Sequence, residues 1–597
     1  MPDGRPGDRM PGSKVPPYAL HHPRAWGADP LDQGTWRFSL WAPQASDVAL
    51  DLGGDRLVMA KDAGGFWRTT CEAKADGPYA FVVDGQATPD PLARAQMGLD
   101  LMGPSRLVDP RHHAWTSEWA GRPWEEAVIY ELHLGTFTPE GTFEGAMGKL
   151  PELASLGITA LEIMPVAHGP GRRGWGYDGA LLAAPHPAYG TPEAMKRFVE
   201  AAQAQGIMVI LDIVMNHFSP EGSDLERIAP DFFDPAMSSP WGTGIAFAKP
   251  AVRSFFTDLA LGWITEYRLD GLRFDAIHEM KDPHSDTEFI VELSRAIRSR
   301  DFGRPIHLIA EDPRNNPVLI RDGLFTAQWD DDFHHAIHTL LTDEASDYLE
   351  DFAVDPIGRL EHLLARGFAW EVDEAPEPEA GLPLYGLPWT AFIIHKQNHD
   401  QIGNRPDGGR LLTLVENARA VEALHAFQLV SPFVPMLWMG EEEGEHGPFH
   451  YFCDVSEELA RKITEGRKEQ FGKMFGRTDF PDANDPATMD ASRPFTEPDS
   501  EHALYWRELT RRLLALRHER IVPLLKSGRT GPATVVRRGK YALSAAWPFR
   551  DGTITAYINL GSPSDDPAPT MAPEPNDLVL GDIASDPYAF ALTVSRT

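Results

Sequence analysis

The chain has few cysteines, no long apolar run and no excess of basic charge, and each absence excludes a class of protein. Only two of its 597 residues are cysteines, Cys71 and Cys453, so we expect no disulfide framework and no cysteine-rich metal site. No apolar stretch reaches the roughly 18 residues that a membrane span needs. The first residues lack the apolar core of a signal peptide, so the expected compartment is the cytoplasm. The 88 acidic and 55 basic residues give a net charge of −33, which argues against nucleic acid or an anionic membrane as partner.

The length predicts several domains, because one hydrophobic core does not extend over so many residues. Residues 1–15 are rich in proline, glycine and charge and are predicted to be a flexible tail. Residues 16–112 alternate apolar and polar positions between glycine-containing turns, which predicts an N-terminal β-sandwich of the carbohydrate-binding type. Similar short strands in residues 526–597 predict a C-terminal β-sandwich. Residues 113–525 lie between them.

The middle region contains eight short apolar runs that alternate with helical patterns. This alternation predicts the α/β class and a parallel (β/α)8 barrel, the TIM-barrel architecture. In the last predicted strand, Pro435 is unfavourable for a central position because it cannot donate a ladder hydrogen bond. The eight predicted strands are Ala127–His133, Ile158–Met164, Ile207–Val214, Gly271–Asp275, Ile306–Glu311, Thr326–Trp329, Thr390–His395 and Val434–Met439.

Acidic residues follow several of these runs at the end where a barrel places its chemistry. Asp275, Glu311 and Asp400 each come just after a predicted strand, and Asp212 lies within a similar segment. A buried carboxylate is costly unless it is paired or functional, so four such positions in one chain indicate an active site. Two carboxyl groups across a sugar bond are the machinery of glycosidases, and their separation distinguishes retaining from inverting enzymes. The sequence alone does not give that separation.

The neighbours of these acids suggest their roles. Arg273 shares a strand face with Asp275, and a nearby cation keeps a carboxylate charged, so Asp275 is predicted to be the nucleophile. Glu311 ends a more apolar strand, where burial raises the pKa of an acid, and this favours the proton donor. Asp400 is the third acid, which would bind sugar hydroxyls and stabilise the positively charged transition state.

Histidines and aromatic residues surround the same strand ends. His133, His217, His278 and His399 are candidate donors to sugar hydroxyls, and Tyr177 is the best candidate for stacking on a sugar ring. A second cluster, formed by His334, His335 and His338, is interpreted as a hydrogen-bonding wall for the substrate, with metal binding as the alternative. In the N-terminal segment, core packing is preferred over a glucan-binding face for Trp36, Trp41 and Trp67.

Four short segments resemble the α-amylase superfamily of retaining α-glucan enzymes, which is glycoside hydrolase family 13. They are Asp212–His217, Gly271–His278, Ala310–Asp312 and Asn398–Asp400. Within that superfamily the chain is most similar to the maltooligosyltrehalose trehalohydrolase family. That similarity rests on four stretches, namely Gln397–Arg405, Ala327–Ala336, Trp175–Gly179 and Met439–Glu442. One departure is Glu443, where the family pattern has tryptophan.

The resemblance implies that the substrate is maltooligosyltrehalose and that the α-1,4 bond next to the terminal trehalosyl unit is cleaved, with release of trehalose. It implies Asp275, Glu311 and Asp400 as catalytic residues, no cofactor and no bound metal. A maltooligosyltrehalose synthase is a possible functional partner. The implied substrate contacts are His133, Tyr177, Asp212, His217, Arg273, His278, Asp331, His335, His399, Gln401 and Asn404.

Two other functions remain open on the sequence. A glycogen or starch branching enzyme uses the same three acids but passes the sugar to another sugar instead of to water. A glucan-binding protein built on an inactive barrel is the other alternative, and the loss of one acid would indicate it. All three acids are present.

Overall fold

The computed structural model describes residues 21–32, 34–239, 242–370, 386–561, 578–581 and 587–596, and the predicted tail at 1–15 lies outside them. The N-terminal strands form two antiparallel sheets, which confirms the predicted sandwich. One sheet has the strands Gly27–Pro30, Thr35–Trp41, Phe66–Glu72 and Ala60–Lys61. The other has Asp55–Val58, Val48–Leu52, Pro78–Val83 and Gln86–Thr88, with Ser105–Arg106 paired to Pro78–Val83. Trp36, Trp41 and Trp67 are all buried in the core of this sandwich.

The middle region folds into a closed barrel of eight parallel strands, as predicted. Every observed strand lies inside its predicted range because the apolar runs that predict the strands are also the fully buried ones. The barrel strands are β1 (Ile129–Leu132), β2 (Ala160–Ile163), β3 (Met208–Ile213), β4 (Gly271–Phe274), β5 (His307–Ala310), β6 (Ala327–Trp329), β7 (Phe392–Ile394) and β8 (Val434–Trp438).

Pro435 lies within β8 even though proline is unfavourable there. It is the second residue of the strand, and pairing with β1 begins only at the next residue, Met436. The side-chain amide of Gln428 donates to the carbonyl of Met436 at 2.6 Å and to that of Ile394 at 3.4 Å. Gln428 thus supplies an N–H donor next to Pro435, which has no backbone N–H of its own.

Helices follow the strands and cover the outside of the barrel. At the start of the helix Pro192–Ala204, Thr191 accepts a hydrogen bond from the backbone of Ala194, and Pro192 lies in the first turn. The other long helices are Pro250–Glu266, Phe289–Arg298, Asp331–Thr342, Pro356–Arg366, Ala418–Val430, Glu457–Phe475 and Glu501–Leu516. Among the described residues, no helix is long and apolar enough to cross a membrane.

The C-terminal strands form one five-stranded antiparallel sheet in the described part of the chain. Its strands, in sheet order, are Thr534–Arg537, Ala542–Phe549, Gly552–Leu560, Tyr588–Arg596 and Leu578–Leu580. The helices Ala418–Val430 and Pro356–Arg366 of the barrel pack against this sheet. Within the residues described here, barrel helices therefore occupy the layer where the predicted sandwich would have a second sheet.

Candidate active site

Arg273 on β4 is the centre of the candidate site. Its side chain is fully buried, and one terminal nitrogen, Nη1, lies 2.8 Å from Asp212 Oδ2 and 3.1 Å from Asp275 Oδ1. The other nitrogen, Nη2, lies 2.7 Å from Glu311 Oε2. The guanidinium carbon lies 4.0 Å from the ring centroid of Trp329, so the aromatic face covers the cation. One buried guanidinium therefore holds carboxylates from the ends of three neighbouring strands.

The backbone after β4 also positions Glu311. Ala276 has left-handed backbone angles, with φ at 42°, which is unfavourable for a residue that has a Cβ atom. In this conformation its N–H donates to Glu311 Oε2 at 2.9 Å. Burial in the cleft raises the pKa of Glu311 to about 8, against the lowering effect of Arg273 and with a further rise from Asp275. Glu311 is therefore held as a protonated acid near neutral pH.

Asp275 has a second partner besides Arg273. The side-chain amide of Asn216, which follows β3, donates to Asp275 Oδ2 at 3.0 Å and to the Asp275 carbonyl at 3.1 Å. Oδ1 thus has a donor from the same strand, Arg273, and Oδ2 has one from the neighbouring strand end, Asn216, which together fix the orientation of the group. A charged, oriented carboxylate beside a protonated one is the pair that glycoside cleavage requires.

His399 lies beside this group at the N-terminus of the short helix His399–Gly403. Its Nδ1 is 2.5 Å from Glu131 Oε1, and its Nε2 is 2.9 Å from the Tyr177 hydroxyl and 3.5 Å from Asp400 Oδ2. The Tyr177 hydroxyl also donates to Asp212 Oδ2 at 2.6 Å. The ring of Tyr177 stacks on His399 with a centroid distance of 5.2 Å, so this imidazole covers one face of the predicted stacking residue.

The predicted residues Gln401, Asn404 and Asp331 support the same helix. Gln401 Oε1 accepts from the backbone of Asn398 at 2.7 Å, and its amide donates to Asp331 Oδ1 at 3.3 Å. Asn404 donates to Asp400 Oδ1 at 3.1 Å. These side chains hold the loop that carries Asp400 in place. They therefore have a structural role in addition to being candidate sugar contacts.

Two other predicted contacts are accessible from solvent. His278 is partly exposed, and burial of part of its ring lowers its pKa. His335 packs between Tyr348 and Phe352, with centroid distances of 4.8 and 5.1 Å, and burial lowers its pKa to about 4. Tyr348 beside it is half-exposed.

His133 and His217 lie behind the site and use their ring nitrogens on the protein. His133 contacts Thr136 Oγ1 and the Gly174 carbonyl, each at 3.0 Å, and is only 1% exposed. His217 contacts the Asn216 side chain through Nδ1 and the Tyr177 carbonyl through Nε2 at 3.0 Å. Both ring nitrogens of each histidine already have a protein partner, so a sugar hydroxyl could bind either ring only by sharing or replacing one of these contacts. The sugar contacts of His133 and His217 therefore stay predictions.

The second histidine cluster does not converge on a single point. His334 Nδ1 contacts the Lys396 carbonyl at 2.7 Å, whereas His338 Nε2 contacts Glu344 Oε2 at 2.8 Å. In the described part of the chain, no group of three histidine, cysteine, aspartate or glutamate side chains is arranged to hold a metal ion.

Glu443, where the resemblance leads one to expect tryptophan, is accommodated by an ion pair. It is 4% exposed, and its carboxylate lies 2.9 Å from Arg507 on the helix Glu501–Leu516. The loop after β8 is therefore closed by a salt bridge to that helix.

Three buried polar residues in the barrel interior near the site were not predicted from the sequence. Glu131 on β1 and Glu162 on β2 each lie within an apolar run, and Asn216 lies beside a predicted histidine. A charged residue inside an otherwise apolar strand is the signal that could have identified the two glutamates.

Comparisons with known proteins show the family to which the chain belongs. The model of the alpha amylase catalytic domain matches residues 104–229. The malto-oligosyltrehalose trehalohydrolase of Deinococcus radiodurans is 38% identical over 85% of this chain and 86% of its own length. That of Mycobacterium tuberculosis is 36% identical over 94% of this chain and 99% of its own length.

Two further proteins place the chain within the superfamily. A crystal structure described as a putative alpha amylase from Salmonella typhimurium is 41% identical, with a TM-score of 0.90 over 96% of this chain and all of its own. A 1,4-alpha-glucan branching enzyme of Nitratidesulfovibrio vulgaris is 34% identical over 71% of this chain and 72% of its own length. The trehalohydrolases match a larger share of the chain at similar or higher identity. The chain belongs to the malto-oligosyltrehalose trehalohydrolase family of the α-amylase superfamily.

Proposed function

We propose that this protein hydrolyses the α-1,4-glucosidic bond next to the terminal trehalosyl unit of maltooligosyltrehalose and releases trehalose. The observation that carries the chemistry is the arrangement at Arg273, which places Asp275 and a raised-pKa Glu311 on opposite ends of one guanidinium. Family membership supports the choice of substrate, because the relatives that match most of the chain are named for this reaction.

The proposed reaction retains configuration and has two steps. Asp275 attacks the anomeric carbon while Glu311 gives its proton to the oxygen of the leaving trehalose, which breaks the glycosidic bond. Glu311, now ionised, takes a proton from water, and this water releases the sugar from Asp275. Asp400 and His399 lie beside the pair and bind the hydroxyls of the distorted sugar ring.

The substrate contacts are proposed in two groups. Arg273, Asp212 and Tyr177 hold the acids and close the base of the cleft. His278, His335, Asp331, Gln401 and Asn404 lie around the cleft and contact sugar units directly or through the loop that carries Asp400.

Product analysis tests the proposal. The purified protein is incubated with maltooligosyltrehalose and, separately, with maltoheptaose and amylose. We expect rapid release of trehalose from the first substrate and slow or no attack on the others. A matched control, Asp275→Ala, should bind maltooligosyltrehalose but release nothing.

The branching reaction is the second candidate, because a branching enzyme also matches the chain. New α-1,6 branches in amylose without release of trehalose would replace the proposed hydrolysis with transfer. The absence of any product from every substrate would favour a glucan-binding protein instead.

A cytoplasmic location and functional pairing with a maltooligosyltrehalose synthase complete the proposal. Cell fractionation tests the first. For the second, the rate of trehalose formation from amylose is measured with the two enzymes separately and together. A synthase partner should make the combined rate depend on both enzymes.

A further inference from the structure

The contact between Glu131 and His399 joins β1 to the loop after β7, two strands that both pair with β8. Glu131 Oε1 lies 2.5 Å from His399 Nδ1, and the side chains of both residues are at most 2% exposed. The opposite nitrogen, Nε2, faces the Tyr177 hydroxyl and Asp400. A carboxylate that binds one imidazole nitrogen fixes the ring orientation and the proton on that nitrogen.

Several charged groups act on the His399 ring. Burial lowers its pKa, but the charges of Asp400 and Glu131 outweigh this effect and raise it to about 9. Arg273 on β4 opposes them. Glu162 on β2 and Asp212 on β3 face the same interior, and the ring edges of Trp175, Trp329 and Trp438 enclose it.

Glu162 is the neighbour of Glu131 in the parallel pairing of β1 and β2, but its state differs. Burial raises the pKa of Glu162 well above its ordinary range, and the charges of Glu131 and Asp212 raise it further. Among the described residues, neither Glu162 oxygen has a hydrogen-bond partner. The same barrel layer thus contains one glutamate with a cationic partner and one in its neutral form.

We propose that Glu131 is a positioning residue that keeps His399 as an imidazolium, with Nε2 directed at the sugar-binding side of Asp400. The inference rests on the proposed glycoside hydrolysis. Because the Tyr177 hydroxyl donates its proton to Asp212, it accepts from Nε2–H at 2.9 Å, and a sugar hydroxyl would share or replace this contact. A charged Nε2–H donor binds such an acceptor more strongly than a neutral one, and it offsets negative charge beside the reacting carbon. Glu131 acts through His399 and touches no substrate.

The test uses a matched pair of substitutions in one barrel layer. Glu131→Gln removes the charge that holds the imidazolium, whereas Glu162→Gln replaces a neutral acid by a neutral amide of nearly the same shape. We expect kcat/KM for trehalose release to fall about 10- to 100-fold in Glu131→Gln, which corresponds to a hydrogen bond to a charged group. Glu162→Gln should stay within about threefold of the wild type, because it removes no charge.

The pH profile separates positioning from simple loss of packing. In the wild type, the alkaline decline of kcat/KM should follow Glu311, whose pKa is about 8. In Glu131→Gln, His399 loses its proton at lower pH, so the decline should move below that value. Glu131→Asp keeps the charge and should restore the position of the decline and part of the rate. Equal losses in the Glu131→Gln and Glu162→Gln variants, or an unchanged profile in Glu131→Gln, would overturn the inference.

A spectroscopic measurement tests the dyad without turnover. In protein labelled with ¹⁵N-histidine, the His399 signals are those missing from His399→Asn. We expect both ring nitrogens of His399 to carry protons at pH 7.5 in the wild type and in Glu162→Gln, and only one in Glu131→Gln. A neutral His399 in the wild type refutes the dyad, whereas a charged His399 in a protein that releases no trehalose refutes only the proposed function.

Discussion

Replacing Glu311 by glutamine tests the assignment of the proton donor. Arg273 and the Ala276 N–H both donate to Glu311 Oε2, and the glutamine oxygen can accept both hydrogen bonds. The substitution therefore removes the acidic proton of Glu311 but keeps the hydrogen bonds from Arg273 and Ala276. We expect kcat to fall about 10²- to 10⁴-fold on maltooligosyltrehalose, the usual contribution of a general acid. On α-maltosyl fluoride, whose leaving group needs no proton, the loss should be much smaller.

The pKa of Glu311 sets the size of the pH effect. With a pKa of about 8, the protonated fraction falls tenfold for each pH unit above that value, so the titration of Glu311 alone should lower kcat/KM at pH 10 about 100-fold below its plateau. In Glu311→Gln this decline should disappear and leave only a later one near pH 9 from His399. The assay is kcat/KM for trehalose release from pH 5 to 10.

The same raised pKa has a consequence for stability. An unfolded glutamate ionises near pH 4.5, but folded Glu311 keeps its proton to about pH 8, so stability falls as pH rises between these values. At pH 7 the cost is at most about 3 kcal/mol. If all 597 residues unfold in one transition, removing this cost should raise the Tm of Glu311→Gln at pH 7 by about 2 to 3 °C relative to the wild type. At pH 4.5 the two proteins should have the same Tm. A persistent decline of kcat/KM near pH 8 in the variant would refute the assignment of this acid.

Four further substitutions follow from the contacts of the site. Asp275→Asn keeps the hydrogen bond from Asn216 but removes the nucleophile, so turnover should fall at least about 10⁴-fold with substrate affinity, measured by calorimetry, little changed. Arg273→Met leaves the carboxyl groups of Asp212, Asp275 and Glu311 without their cation and should cost about 3 to 5 kcal/mol in stability, measured by denaturant unfolding. Tyr177→Phe removes the hydroxyl between Asp212 and His399 and should lower kcat/KM about 10-fold; an unchanged value would show that this bridge is dispensable. Ala276→Gly relieves the left-handed backbone and should raise Tm by about 1 °C, and a lower Tm would contradict the strain.

The fold was largely predictable because burial and sequence pattern coincide in a parallel barrel. Each barrel strand is covered on both faces, so it appears in the sequence as a short apolar run, and the eight runs gave the eight strands. The acids at Asp275, Glu311 and Asp400 were predictable for the related reason that a carboxylate after such a run lies at the reactive end. Pro435 made the last strand unfavourable on local grounds, because proline lacks an N–H donor. Gln428 on the preceding helix supplies a donor there, and the residues around Pro435 in the sequence do not reveal that contact.

The interior polar residues were not predictable because their partners come from distant strands. Glu131 is separated from His399 by 268 positions in the chain, and only closure of the barrel brings β1 beside the loop after β7. His133 shows the opposite case, since its place at a strand end predicted a sugar contact, yet Thr136 and Gly174 use its nitrogens. The position of a residue along a strand predicts the end of the barrel at which its side chain lies. It does not predict which other residues form hydrogen bonds with that side chain.

The balance of charge in the cleft favours a neutral form for at least one of its acids. Arg273 and His399 are the cations that act on Asp212, Asp275, Glu311, Asp400 and Glu131, so full ionisation would leave an excess of negative charge in a buried space. The proton is retained on Glu311 because burial raises its pKa and because Asp275 and Asp400 add to that rise. If His399 became neutral, the excess would grow and further protons would be bound, Asp212 being a candidate because burial already raises its pKa to about 6. A buried contact outside the reacting pair can therefore change how many protons the carboxyl groups of the cleft bind.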